Sequence, residues 1–176
     1  METRKRVLGA EHPDTLTSIA NLASTYRKQG RWKGAEGLFV QLTETRKRVL
    51  GAEHPDTLTS IGKLASTYRS QGQCKKAEGP EVHVMETRKR VLGAEHPSTL
   101  TSIANLASTY RSQGRWKEAE ELEVQVMETR QRVLGAEHPH TLASIANLAL
   151  ASKNQGRWKS WKLRVLKIFR KREGQW

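Results

Sequence analysis

The fold is decided by residues 9–50, GAEHPDTLTSIANLASTYRKQGRWKGAEGLFVQLTETRKRVL. Near-copies of this stretch begin again at Gly51, Gly93 and Gly135, each 42 residues after the previous start. A fixed period of this length is typical of repeat proteins, in which each unit packs only against its neighbours. The 176 residues are therefore interpreted as one stack of repeats, with almost no length left for another domain.

A single repeat predicts two helices joined by a tight turn. Pro13 suits the first turn of a helix, here named helix A, and Gly30 suits its end. Helix A has one apolar face, formed by Leu16, Ile19, Ala23 and Tyr26. The second helix, helix B, begins at Trp32 and has its own apolar stripe, formed by Ala35, Leu38, Phe39, Leu42, Thr45 or Arg46, and Val49. Because neither helix can bury its stripe alone, successive hairpins are expected to stack.

The residue pattern resembles the tetratricopeptide repeat. The pattern consists of Ile19-x-x-Leu22-Ala23-x-x-Tyr26, followed by Gly30 and by Ala35 and Phe39 in helix B. The longer helix B, the HP pair before helix A and the NLA within it resemble the 42-residue repeats of kinesin light chains and of the C-terminal arrays of fungal NOD-like receptors. The resemblance implies an all-α fold, a right-handed α-solenoid of tetratricopeptide (TPR) helical hairpins.

The repeat boundaries predict five segments and about nine helices. They are a partial helix B of a preceding repeat (1–8), repeat 1 (9–50), a degenerate repeat 2 (51–92), repeat 3 (93–134) and repeat 4 with a divergent basic C-terminal helix (135–176). Since Met1 recurs inside the repeats as Met85 and Met127, the chain is interpreted as a piece of a longer array. In repeat 2, Pro80 falls inside helix B and predicts a break or bend near Gly79.

The sequence offers no catalytic constellation and predicts no enzyme, no cofactor and no metal site. It lacks a glycine-rich phosphate loop, and the recurring His12, His54, His96 and His138 are interpreted as turn residues before proline. Cys74 is a lone cysteine in the position of Trp32. The acidic run is expected on a solvated helix face and comprises Glu118, Glu120, Glu121 and Glu123. The first residues, METRKRVLGAEHP, lack the apolar stretch of a signal peptide, and no apolar run approaches the length of a membrane span, so a cytoplasmic protein is predicted.

The family resemblance implies that helix A lines a concave groove that binds an extended peptide. The asparagine before Leu-Ala would face the groove, because a carboxamide both donates and accepts hydrogen bonds. Serines and cations one and two turns further would extend the site toward an acidic partner. The predicted groove residues are Asn21, Ser24, Arg27, Lys63, Ser66, Arg69, Asn105, Ser108, Arg111, Asn147 and Lys153.

Basic residues support a rival hypothesis. The net charge is +13, and helix B carries an Arg-Lys-Arg series at residues 4–6, 46–48 and 88–90, continued by Arg130 and Arg132. Aligned repeats would turn this series into a stripe, which is either a solvated outer face or a surface for nucleic acid or anionic lipid. The tail is predicted as a basic amphipathic helix, which either caps the stack or binds a membrane or a partner groove, and a frame-shifted repeat is a further explanation. Its cations are Arg157, Lys159, Lys162, Arg164, Lys167, Arg170, Lys171 and Arg172.

These observations favour a non-enzymatic scaffold that binds a protein or peptide in the TPR groove, with an acidic peptide as one candidate. The alternative is an electrostatic binder of nucleic acid or anionic membrane that uses the basic C-terminal helix. Exposed end faces of the stack also predict end-to-end self-association. A decayed fragment with no selected partner is the third interpretation, motivated by Pro80 and by the divergent tail.

Overall fold

A computed structural model describes residues 2–154, with side chains up to residue 149, and this range contains α-helices and no strand. The eight helices are α1 (Glu2–Leu8), α2 (Pro13–Lys28), α3 (Trp32–Leu50), α4 (Pro55–Ser70), α5 (Cys74–Leu92), α6 (Pro97–Ser112), α7 (Trp116–Leu134) and α8 (Pro139–Asn154). The predicted ninth helix lies outside the described residues. Within the described range, none of the helices combines the length and the apolar character that a membrane span requires.

The chain divides into two compact units, the first ending at Ala94 and the second beginning at Glu95. In the first unit, α1 to α5 follow one another and each helix packs against the next. In the second unit, α6 packs against α7 and α7 against α8. The even-numbered helices are the predicted A helices and the longer odd-numbered helices from α3 onward are the predicted B helices.

The core of the first unit forms where the apolar faces of neighbouring helices meet. Its main cluster joins α2 to α3 and contains Leu16, Ile19, Ala20, Ala23, Ala35, Phe39 and Leu42. Tyr26, Leu38 and Leu64 pack against this cluster while remaining partly exposed. The predicted stripes are therefore confirmed except at Val49, which is 44% exposed because it lies in the last turn of α3, beyond the buried Arg46.

The helix ends follow the local chemistry of the repeat. His12 precedes α2, and its ring Nδ1 accepts a hydrogen bond from the backbone N–H of Asp14 at 3.2 Å, so the histidine is the N-cap of the helix. His54, His96 and His138 make the same bond in their repeats. At the other end, Gly30 has φ +73°, which lets the N–H of Arg31 bond back to the carbonyl of Tyr26 at 2.9 Å. The interpretation of the histidines as turn residues is confirmed.

Pro80 lies within a continuous helix. The helix α5 runs from Cys74 to Leu92 without interruption, so the break predicted near Gly79 is wrong. The proline removes one backbone hydrogen bond, but α5 buries Ala77, Val84 and Thr87 on one face. The packing of this face against α4 holds the helix together across the missing bond.

Candidate functional site

The predicted groove residues of the first unit lie on two A helices, α2 and α4. A side-chain hydrogen bond joins the two helices, because Nη1 of Arg27 on α2 donates to Oγ of Ser66 on α4 at 2.7 Å. Asn21 is exposed, and among the described residues its carboxamide makes no hydrogen bond. Ser24 instead donates to the carbonyl of Ala20 in its own helix at 2.8 Å. The two helices thus present one exposed amide and one cation that bridges to the neighbouring repeat.

Two of the predicted groove cations form ion pairs with buried acids. Arg69 lies 3.4 Å from Oε1 of Glu81, and Arg111 lies 2.9 Å from Oε1 of Glu123. The two glutamate side chains are only 2% and 3% exposed. Burial raises the pKa of Glu123 to about 7, although the positive charge of Arg111 acts in the opposite direction. Each pair joins helix A to helix B of the same repeat, so these two arginines have a structural role.

The expectation that the acidic run of α7 is solvated is wrong at Glu123. This residue stands where repeat 1 has Phe39, which is fully buried, so the position faces the core in both repeats. The sequence contains a signal for the pair, since Arg69 and Arg111 are each followed twelve residues later by a glutamate. That spacing reaches across the turn to the facing position on helix B, and helical periodicity alone does not reveal it.

Repeat 1 lacks this acid, and its arginine behaves differently. Phe39 occupies the position of Glu123, so Arg27 forms no described ion pair within its own hairpin and donates to Ser66 instead. Lys63 stands on α4 in the place of Asn21, and its pKa is lowered by burial first and then by the charges of Arg46 and Arg27. Three cations therefore lie near one another in the first unit.

The second unit contributes the remaining predicted residues. Asn105 on α6 and Asn147 on α8 are half-buried. Ser108 accepts a hydrogen bond from Nη2 of Arg111 at 3.4 Å, within the same helix. Lys153 lies in the last turn of α8, but its side chain is outside the described range, and the basic tail from Arg157 to Arg172 lies wholly outside it.

The predicted basic stripe on helix B is wrong for its first arginine. Arg46 is 9% exposed, and its Nη1 donates to Oγ of Ser60 at 2.8 Å and to the carbonyl of Asp56 at 3.0 Å. Arg130 makes the equivalent bond to Ser144 at 2.8 Å. These arginines join helix B to the next helix A, and their guanidinium groups are held inside the packing instead of facing solvent.

The second arginine of each repeat's series is exposed but forms an ion pair. Arg48 pairs with Glu11, Arg90 with Glu53 and Arg132 with Glu95, so each GAEHP turn binds the end of the following helix B. Within the series of repeats 1 and 2, the cations left exposed without a described ion pair are Lys47 and Lys89. The predicted stripe of three cations per repeat is therefore reduced to one exposed lysine in each of repeats 1 and 2. Repeat 3 has Gln131 in the position of that lysine.

One feature of the first unit has no counterpart among the sequence-based expectations. A cavity of about 530 Å³ opens at the turns between helices A and B, where it is lined by Gly30, Arg31, Trp32, Lys33, Gly34, Glu36, Gln71 and Gln73. Trp32 is 41% exposed there, and Nε2 of Gln71 donates to Glu36 at 2.8 Å. Among residues 2–149, no group of three or more histidine, cysteine or acidic side chains is arranged to hold a metal ion.

Helical hairpins of 42 residues, capped by His-Pro and closed by glycine, define an all-α tandem repeat protein. The family model for the tetratricopeptide repeat matches residues 15–56, 57–98 and 99–140, which together cover most of the chain. The chain belongs to the tetratricopeptide repeat family. The family model confirms the period but starts each copy six residues later than the predicted boundaries, so the choice of the first residue of a repeat stays a prediction.

Solved structures agree with this assignment. The chain is 31% identical to the nearly identical TPR-like repeats of a Podosopora anserina protein assigned as a kinesin light chain. The TM-score is 0.78 over 99% of this chain and 84% of that one. A variant of those repeats with one substitution is 32% identical, with a TM-score of 0.80 over 95% and 79% of the two chains. BtubC (BKLC) from P. vanneervenii, at 19% identity, shares the fold with a TM-score of 0.76 over 94% and 67%. No curated protein matches the chain.

Proposed function

We propose that the chain is a non-enzymatic scaffold that binds an extended peptide along the exposed faces of its A helices. The observation that carries the proposal is Asn21, whose exposed carboxamide makes no hydrogen bond among the described residues while it lies on the same helix as the bridging Arg27. A free carboxamide can donate to and accept from the backbone of an extended peptide. Membership of the TPR family supports the proposal, since TPR repeats generally mediate protein–protein interactions.

The charge of the proposed partner follows from the groove cations that have no described ion pair. Arg69 and Arg111 are engaged by buried glutamates of their own repeats, whereas Arg27 and Lys63 have no described ion pair. The groove therefore favours an acidic peptide near repeats 1 and 2. The likeness to the Podosopora anserina repeats supports a scaffold of the kinesin light chain type. Cargo binding and a place in the repeat array of a fungal NOD-like receptor stay predictions from the sequence resemblance. A cytoplasmic location stays a prediction.

The alternative of an electrostatic binder loses most of its basis on helix B. In repeat 1, the first arginine of the Arg-Lys-Arg series is held in the packing and the second is paired with a glutamate. What remains of the alternative is the tail, which lies outside the described residues.

The test is a peptide display selection followed by affinity measurements on single variants. Asn21→Ala is expected to weaken the selected peptides about tenfold, the effect of losing a well-formed hydrogen bond in a groove. Gln41→Ala on α3 is the matched control, because Gln41 is an exposed carboxamide on a B helix. If both variants bind selected peptides as tightly as the wild type, or if the selection yields no binder, the proposal fails.

A further inference from the structure

The cations of the first unit converge around one position on α4. Ser60, Lys63 and Ser66 are spaced three residues apart along this helix, so their side chains are neighbours on its surface. On one side, Arg46 of α3 donates to Ser60 at 2.8 Å, and on the other side, Arg27 of α2 donates to Ser66 at 2.7 Å. Lys63 lies between these two bonds. Three helices thus place three positive charges along α4, from the buried Ser60 to the half-buried Lys63 and Ser66.

None of the three cations forms an ion pair with a described side chain. No ion pair of Arg27, Arg46 or Lys63 occurs among residues 2–149, and the acid that pairs with the neighbouring Arg69 is Glu81 on α5. The Nε atoms of Arg27 and Arg46 are buried and make no hydrogen bond with any described residue. Burial and the two arginines together lower the pKa of Lys63, which is the effect expected of a lysine held beside like charges.

The second unit provides an internal comparison. Its equivalent positions are Arg111, Arg130 and Asn147, and Arg111 is paired with Glu123. Two departures from the repeat consensus therefore create the cluster in the first unit: lysine replaces asparagine at residue 63, and phenylalanine replaces glutamate at residue 39. The formal charge of the position rises from +1 in the second unit to +3 in the first.

We propose that Lys63, Arg27 and the hydroxyl of Ser66 form a binding site for a phosphate monoester carried by a peptide, with Arg46, which donates to Ser60, adding positive charge. A phosphate group at neutral pH has a charge near −2 and three acceptor oxygens, which matches several converging cations better than one carboxylate does. Elsewhere in this chain, a single carboxylate balances a single arginine, as in the pair of Arg111 with Glu123. The site rests on the proposed function and deepens it, because the phosphate would lie on a peptide bound to the same face of α2 and α4.

The test uses small probes, so that it does not depend on knowing the peptide. Capped phosphoserine (N-acetyl-O-phosphoserine methylamide), capped glutamate and inorganic phosphate are titrated into the whole chain at constant ionic strength and followed by NMR. Capped phosphoserine is expected to shift the backbone resonances of residues 60–67 and to bind about tenfold more tightly than capped glutamate, as a second negative charge and a third oxygen predict. Inorganic phosphate is expected to bind at the same residues but more weakly than the capped phosphoserine.

Two variants and one control locate the site. Lys63→Asn restores the residue of the other repeats, and Phe39→Glu restores the missing acid beside Arg27. Each is expected to weaken capped phosphoserine about tenfold, the effect of losing one charge-assisted hydrogen bond at a partly exposed site. Lys47→Gln removes one exposed charge from α3 and reproduces Gln131, so it is expected to leave the affinity unchanged. If Phe39→Glu does not fold, as judged by circular dichroism, Lys63→Asn alone decides the outcome.

Three results would overturn the proposal. The first is that capped phosphoserine causes no shifts at residues 60–67. The second is that Lys47→Gln lowers the affinity for capped phosphoserine as much as Lys63→Asn does. The third is that capped glutamate binds as tightly as capped phosphoserine. If phosphoserine binds here but selected peptides bind Asn21→Ala as tightly as the wild type, the phosphate site stands and the proposed peptide groove at Asn21 fails. If peptides are selected and need Asn21 but phosphoserine does not bind, the scaffold stands and the phosphate site fails.

Discussion

Glu123 gives the protein a pH-dependent stability that a single substitution removes. Its side chain is 3% exposed, and its Oε1 lies 2.9 Å from Nη1 of Arg111. Burial raises its pKa from 4.5 to about 7, and the charge of Arg111 offsets only part of that effect. We expect Glu123→Gln, which keeps the shape and removes the titration, to abolish the pH dependence that this carboxyl contributes.

The direction and size of the effect follow from proton linkage. Between pH 4.5 and about 7, the folded protein holds a proton on Glu123 that the unfolded chain has released. Because the folded state binds more protons in this window, the contribution of Glu123 to the free energy of unfolding falls as the pH rises. A shift from 4.5 to about 7 corresponds to a loss of about 3 kcal/mol across the window. The stabilisation is fully present below the window and is lost above it.

The assay is urea unfolding of both proteins followed by circular dichroism from about pH 4 to about pH 8, a range that spans nearly all of the titration. The wild type and Glu123→Gln share every other titrating group, so the difference between their free energies of unfolding isolates this carboxyl. The difference is expected to change by about 3 kcal/mol in favour of the variant as the pH rises. Glu121→Gln, an exposed position on α7, is the matched control and should follow the wild type. A difference that stays constant with pH would refute the reasoning.

Three further substitutions test the packing by urea unfolding. Arg46→Ala removes the hydrogen bonds to Ser60 and to the carbonyl of Asp56 and is expected to destabilise the protein by about 2 kcal/mol. The control Lys47→Ala should change the free energy of unfolding by less than about 0.5 kcal/mol. Equal effects of the two substitutions would contradict the buried role of Arg46. Pro80→Leu restores a helix hydrogen bond in α5 and should stabilise the protein by about 3 kcal/mol. If the variant is no more stable than the wild type, the proline ring does not destabilise α5. Gly62→Ala places a methyl group where no atom lies within 4 Å and should add about 1 kcal/mol, so a loss would show a contact that the structure lacks.

The helices and their ends were predictable because they depend on local chemistry. Pro13 at the first turn and Gly30 with its positive φ act within a few residues of their own positions. The apolar stripe of helix A depends only on helical spacing, and it was confirmed at Leu16, Ile19 and Ala23. A pattern that repeats four times also averages out local noise, which is why the fold class was readable from the sequence alone.

The site was harder to predict, because the role of an arginine depends on what faces it. Arg27, Arg69 and Arg111 look alike in the sequence, yet two of them contact a buried glutamate on another helix and the first does not. The deciding residue lies twelve positions away across a turn, where Phe39 replaces a glutamate. Composition and helical periodicity treat each helix separately, so they carry no information about that pairing.

Because the repeats are nearly identical, a residue that departs from the shared pattern can be compared directly with its equivalents in the other repeats. A buried glutamate that pairs with an arginine is costly to desolvate, so a repeat that replaces it with Phe39 gains apolar packing in the core. That change also leaves Arg27 without an acidic partner, and in an isolated hairpin the unpaired cation would only lower the stability. In this chain the next helix A adds Lys63, a further like charge, at the same place, which raises the electrostatic cost instead of relieving it. Two substitutions that each increase the same unbalanced charge are the pattern expected of an anion site, since a bound anion is what makes the cluster favourable.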